Sequence, residues 1–442
     1  MEIDRDRPKL SNAFIEAHKL RELKIDIDEK LEPDSECCIY RVPKELRKIN
    51  KAAYTPQLVS IGPFHHGNKD LAEMEIQKVR YKKEFGKRIS EERLEDFIAF
   101  IEREEKHIRN CYSDTSPLKS PDFITMILYD AIFIIELLLR FNEGKDDFLL
   151  NNIRFEIRLK RDLRLLENQL PRFVLEELYK STGIKVRSVL SLFIFFFYDS
   201  DECTDNQHVH YHRNVNHFTD LWRSMLLHIN PEANDSSSVL PSAVPKGNDS
   251  LCSDFPSAVK LKESGMKFTA LKGKSLLDIE LKQGNFKIPI PCFSGVELKI
   301  PCLHVGGKTE AVIRNVMAFE QCHYPSKTHV CNYIAFMKFL IRTEKDVDLL
   351  IEEGIISNLM GDSATIVRMF NGLSISVVVS RSRYSGIVRD LKSHYSNGWN
   401  HKGATLKRVY FGNPWKGTGT IAAIVLLLLT LIQTICSIMQ AV

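Results

Sequence analysis

"PDFITMILYDAIFIIELLLRF", residues 121–141, decides what kind of body this chain builds. Its apolar run, 123–141, approaches the ~20 residues that a membrane helix needs. Asp130 and Glu136 interrupt it, however, and charged groups are costly in hydrocarbon. Glu136 and Arg140 stand four apart, the spacing at which opposite charges pair on one helix face. The stretch therefore reads as a buried core helix. "SVLSLFIFFFY", 188–198, is only about half the length of a span and takes the same reading.

The surrounding sequence fits that core. "RLEDFIAFIEREEKHI", 93–108, places Leu94, Phe97, Ile98, Ile101 and Ile108 on one stripe with charge opposite. "RFEIRLKRDLRLLENQLPRFVLEELY", 154–179, predicts an amphipathic helix ending near Leu170, with Pro171 starting a second piece because it lacks an amide donor. The 28 residues of 230–257 are rich in Ser, Asn, Asp and Pro and read as a flexible linker. After them the texture changes. "SLLDIELKQGNFKIPIPCFSGVELKIPCLHV", 275–305, alternates apolar and polar residues around turn signals, which predicts short antiparallel strands. Helices resume at "NYIAFMKFLIRTEKDVDLLIEEGIISNLM", 332–360.

The expected architecture is predominantly α-helical (α+β). A charged arm spans 1–36, a helical half 37–229, the linker 230–257, and a second half with strands and then helices 258–415. The chain is 44 % hydrophobic and 27 % charged, which excludes disorder throughout. Its net charge of +4 gives no general basic footprint, so a nucleic-acid partner is not expected. The ten cysteines are scattered without a CxxC pair, and the charged N-terminus lacks the apolar core of a signal peptide, so reduced thiols are expected.

The last segment is different in kind. "NPWKGTGTIAAIVLLLLTLIQTICSIMQAV", 413–442, carries no charge over its last 23 residues. At ~1.5 Å per residue that run crosses a ~30 Å hydrocarbon core. A transmembrane helix is expected over 420–442, with Ile421, Val425, Leu428, Leu431 and Ile435 among its lipid-facing residues. Lys392, Lys402, Lys407, Arg408 and Lys416 precede the run and no charge follows it, so the body is expected in the cytosol, at the plasma membrane or an endomembrane. Sequons at Asn234 and Asn248 would matter only for a lumenal body.

Four clusters invite a chemical reading. His208, His210, His212 and His217 could share a strand face, but no carboxylate or Cys stands at a matching spacing. Cys322, His323, His329 and Cys331 are zinc-type ligands without zinc-type gaps. "VGGKTE", 305–310, resembles a phosphate loop, yet Cys302 stands where its first Gly belongs, and no strand–loop–helix unit is evident. His65 and His66 sit on a Pro/Gly turn without an identifiable nucleophile. No catalytic residue, metal, cofactor or small-molecule ligand is assigned from these.

Four blocks, in order, carry a resemblance: "CIYRVPKELRKINKAAYTPQLVSIGPFHHG" (38–67), "RDLRLLENQLPRFVLEELY" (161–179), "RNVMAFEQC" (314–322) and "YFGNPWKGTGTIAAIVLLLLTLIQT" (410–434). The chain resembles the plant-specific family called domain of unknown function 247. The resemblance marks Gly62, Pro63, His65, Glu167, Asn168, Gln169, Pro171, Arg314, Asn315, Glu320, Asn413, Pro414 and Trp415 as family-motif positions. It implies a C-terminal membrane span and no established enzymatic activity. Some grass members are candidate determinants of self-incompatibility, which implies a protein partner and a recognition role. The residues alone keep a structural corner and a binding surface both open at "ENQLP", where side chains can satisfy the backbone groups orphaned as a helix stops. A membrane-bound enzyme is the alternative expectation.

Overall fold

The computed structural model describes residues 34–441 apart from 185–186, 199–214, 228–254, 273, 277, 283–294, 376–382, 399–400, 404 and 406–413; side chains at 198, 414–417, 420–421, 424 and 440–441 are also outside the description. The charged arm over 1–33, the linker over 230–254 with both sequons, His208, His210, His212 and Asn413 therefore lie outside the described residues.

Helix follows helix through the first half: α1 (Lys44–Ile49), α2 (Ala72–Phe85), α3 (Glu91–Asn110), α4 (Ser120–Asn142), α5 (Phe148–Asn151), α6 (Ile153–Asp162), α7 (Arg172–Ser181), α8 (Val189–Tyr198) and α9 (Phe218–Leu227). α4 contains the decisive apolar run and sits at the centre, packed by α2, α3, α7 and α8. Its side chains from Ala131 to Arg140 are all buried.

The two acids that spoke against a membrane are the residues that fasten α4. Asp130 pairs with Lys78 of α2 at 2.5 Å and accepts the Gly62 amide at 2.7 Å. Glu136 pairs with Arg88 at 2.6 Å and with Arg140 at 2.7 Å. Buried charges persist only when paired and hydrogen-bonded, and these are.

The second half holds α10 (Ala258–Glu263), β1 (Lys267–Leu271), β2 (Glu280–Lys282), β3 (Glu297–Pro301), β4 (Leu303–Val305), α11 (Thr309–His323), α12 (His329–Leu340), α13 (Glu344–Glu352), β5 (Ile356–Asn358), α14 (Ser363–Leu373) and α15 (Ser385–Ser396). The expected antiparallel region is a mixed one. β2 and β3 pair antiparallel, as a hairpin would, but β1 lies parallel to β3 on its other side, and β4 pairs parallel with β5. Alternation records which face a strand buries, whichever way its neighbour runs, so the pattern could not distinguish the two. One buried core runs through both halves. Phe255, at the end of the expected linker, is 2 % exposed and its ring lies 5.3 Å from that of Phe339. The linker reading therefore fails for 255–257.

The chain ends in α16 (Pro414–Ala441), 28 residues long. Val425, Leu428, Leu431 and Ile435 are each at least 48 % exposed on it. Among the described residues no helix is long and apolar enough to cross a membrane.

Candidate functional site

Of the family-motif residues, Gly62, His65, Glu167, Asn168, Gln169 and Asn315 converge on one corner, where α6 stops. The amphipathic helix predicted to reach Leu170 ends eight residues earlier, at Asp162. Side chains there replace the lost helical bonds. The Asp162 carboxylate accepts the amides of Gln57, Leu58 and Val59 at 2.9, 2.7 and 3.1 Å. Asn168 Nδ2 donates to the carbonyls of Val59 and Asp162, while its Oδ1 accepts the Ile61 amide at 2.7 Å. Gln169 Nε2 donates to the carbonyls of Leu163 and Leu165, and its Oε1 accepts the Phe218 amide at 3.0 Å. Orphan carbonyls of the helix end are thus satisfied by two consecutive amides. Leu170 is buried, and Pro171 is the N-cap of α7.

Gly62 explains itself by geometry. Its φ is +71°, and a Cβ there would lie 2.6 Å from the Gln169 carbonyl oxygen, to which the Tyr112 hydroxyl also donates at 3.0 Å. Only glycine tolerates both the left-handed backbone and that approach. The neighbouring Pro63 is half-buried, next to Phe64, whose ring meets Tyr112 edge-on at 5.5 Å.

Glu167 is the charged centre of the corner. It accepts the Val42 amide at 2.7 Å, pairs with His65 Nε2 at 3.1 Å and pairs with Arg47 of α1. Burial opposes its charge, but the bonds from His65, Arg47 and Val42 outweigh that and hold its pKa below the usual carboxylate value. Glu167 itself is 1 % exposed, whereas the side chains of His65 and Arg47 are 12 % and 25 % exposed. The corner therefore presents an imidazole and a guanidinium to solvent and keeps the acid inside.

α11 contributes the third block. Asn315 accepts the Leu166 amide at 2.9 Å and donates to the Ala53 carbonyl at 2.9 Å, joining the two halves. Arg314 pairs with Glu310 one turn earlier at 2.8 Å. Glu320 pairs with Arg223 of α9 at 3.0 Å and accepts the amides of Val330 and Cys331, each at 3.1 Å. Arg314 and Glu320 thus belong to separate ion pairs. Pro414 and Trp415 lie on α16, away in sequence from these bonds.

The metal-type clusters resolve differently. His217 is 1 % exposed; its Nε2 donates to the Cys38 carbonyl at 2.9 Å and its Nδ1 accepts the Asp220 amide at 3.3 Å. A carbonyl only accepts and an amide only donates, so the neutral tautomer is fixed. Burial pushes the His217 pKa down to about 3. His323 faces Tyr40, with Nδ1 3.0 Å from the hydroxyl, while Cys331 points at the Met317 carbonyl. Among the described residues no three His, Cys, Asp or Glu side chains are grouped to hold a metal ion. Cys37, Cys38, Cys111, Cys302, Cys322, Cys331 and Cys436 carry free thiols, and burial pushes Cys37 and Cys322 up to about 11. "VGGKTE" does join a strand to a helix, β4 to α11, contrary to the sequence expectation. The Thr309 hydroxyl there is occupied by the Gly306 amide at 2.9 Å.

Sequence reasoning missed Asp162, Lys78 and Arg223. Each has a partner far away in the chain, Gln57 and Asp162 being 105 residues apart, and no local spacing signals such a bond.

Comparison with known proteins places this corner in a family. A UPF0481 protein of Arabidopsis thaliana, At3g47200, is 29 % identical over 427 residues, covering 91 % of this chain and 87 % of that protein. A second one from the same plant, At3g02645, is 24 % identical over 505 aligned positions, covering 96 % of this chain and 92 % of its own length. No solved structure matches the chain. The family model DUF247, described as plant protein of unknown function, matches residues 39–429, from the start of the corner into the terminal helix. This chain belongs to that plant family.

Proposed function

We propose that the protein is a membrane-tethered recognition or signalling-adaptor protein that performs no chemistry of its own, with its body in the cytosol. The observation that carries the reading is the chain's end. Residues 420–442 hold no charge, and the described leucines and isoleucines of α16 stand exposed instead of packing on the body. So long a bare apolar surface calls for a covering phase, and a bilayer fits its length. The family-motif side chains support a recognition role over catalysis. Asn168, Gln169 and Asn315 are consumed by backbone bonds, and Glu167 is engaged by Arg47, His65 and the Val42 amide. What they hold rigid is the surface around His65 and Arg47, which is where a protein partner is expected to read the fold.

Proximity labelling from the full chain in plant cells tests this. Labelled membrane proteins together with a recurrent soluble partner are expected, and labelling should change when His65 and Arg47 are replaced by Ala. Turnover of a substrate that depends on a single polar residue of the corner would overturn it.

A further inference from the structure

Outside the terminal helix, few large apolar side chains stand in solvent, and three of them gather at one place. Phe148, Ile153 and Ile157 are 57 %, 64 % and 40 % exposed. Ile153 and Ile157 are one turn apart on α6, and Phe148 of α5 is tied to them through Phe155, whose ring lies 5.2 Å from its own. Arg154 and Arg158 form the adjacent stripe of the same helix; both are exposed and neither has an ion pair among the described residues. Residues four apart are neighbours on a helix, so two isoleucines and two arginines make one continuous face. The acids nearby are engaged elsewhere. Glu156 pairs with Lys160 at 2.5 Å, and Asp146 is held by the Asn151 side-chain amide. The inner side of α6 is anchored by Leu159 and Asp162, both buried, so this face cannot turn inward.

We propose that the outer face of α6, with Phe148, is a docking surface for an anionic lipid bilayer. It rests on the membrane-tethered reading above, because the terminal run of the same chain keeps the body within reach of a bilayer. Arginines beside exposed isoleucines and a phenylalanine are the composition with which a helix lies in a headgroup layer. Apolar side chains enter the acyl boundary while the guanidiniums meet lipid phosphates and carboxylates. The cytosolic leaflet, to which the proposed topology exposes the body, is the anionic one. The surface would hold the body flat on the membrane.

The full chain reconstituted into vesicles of phosphatidylcholine, with or without phosphatidylserine, tests this. Ile153→Trp is compared with Ile76→Trp, an exposed site on α2, using brominated lipid as the quencher. Quenching of Ile153→Trp beyond that of the parent chain, whose own three tryptophans give the background, is expected only in phosphatidylserine vesicles, with no such excess from Ile76→Trp. Adding Arg154→Glu and Arg158→Glu should weaken it; each arginine is worth on the order of a fivefold change in surface partitioning. Quenching equal at both sites would overturn the proposal, as would a lipid-independent blue shift that grows with protein concentration, which would assign the face to a second copy. A chain that floats with neither vesicle type would overturn the tether and this surface together, whereas flotation without selective quenching would overturn the surface alone.

Discussion

Glu167 accepts the backbone amide of Val42 at 2.7 Å across 125 residues of chain, deep enough that the acid is 1 % exposed. This one bond ties the segment before α1 to the end of α6, and the groups around it behave as a unit. The corner is thus a clasp whose removal should be felt in stability before it is felt in binding.

Asn168→Ala removes the partner of the Ile61 amide and of two carbonyls, leaving buried groups unsatisfied. A loss of about 2–4 kcal/mol is expected, read as a lower urea midpoint at unchanged m-value. An Asn168→Ala protein of full stability that had lost partner binding would make the corner a binding surface instead of a clasp.

Gly62→Ala forces a Cβ to within 2.6 Å of a carbonyl oxygen at a φ of +71°. The backbone conformation alone costs about 1–2 kcal/mol for an L-residue, and the clash adds to it. Thermal unfolding should show a lower midpoint than for Gly67→Ala, where a Cβ meets nothing within 4 Å at a similar φ of +76°. Equal midpoints would remove the close approach from the account.

The neutral His217 makes a pH prediction with a definite sign. Its folded pKa, about 3, lies below the ordinary 6.5, so the unfolded chain takes up the proton first and stability is lost as pH falls below about 6.5. Asp220 beside it acts oppositely: burial raises it to about 6, so the folded state binds its proton first and gains stability as pH falls from about 6 toward 3.8. The two largely cancel in the parent protein over that window. His217→Gln, which keeps a donor and an acceptor, isolates the histidine. The stability advantage of the parent over the variant should shrink by roughly 1.4 kcal/mol per pH unit below about 6. An advantage that is constant from pH 7 to 4, measured by urea unfolding, would contradict a buried neutral imidazole.

Topology gives a prediction that needs only a gel. If the body faces the cytosol as proposed, Asn234 and Asn248 never meet the glycosylation machinery, and a glycosidase should leave the mass of the plant-expressed chain unchanged. A glycosidase-sensitive shift abolished by Asn234→Gln and Asn248→Gln would reverse the orientation.

Much of the helical half was legible in the sequence because helical periodicity is local. Asp130 and Glu136 in an otherwise apolar run identified α4 as a core helix, and the structure supplies their cations. The stripe at Phe97, Ile101 and Ile108 is buried as read. What failed was non-local. The end of α6 at Asp162 is set by amides from Gln57 to Val59, which no window around 162 contains. Strand direction failed for the same reason, since β1 pairs in parallel with β3, from which it is separated in sequence by β2. The corner residues were found by their resemblance to a family, and their roles became readable only when their backbone partners were in place.

The central claim is that the terminal run holds this protein in a membrane, and alkaline carbonate extraction of the full chain from plant cells tests it most directly. The parent chain should stay in the membrane pellet, while Leu428→Arg with Leu431→Arg, placed at the middle of the run, should release it to the supernatant. A parent chain extracted by carbonate, or a doubly charged variant that still pellets in a folded state, would contradict the account.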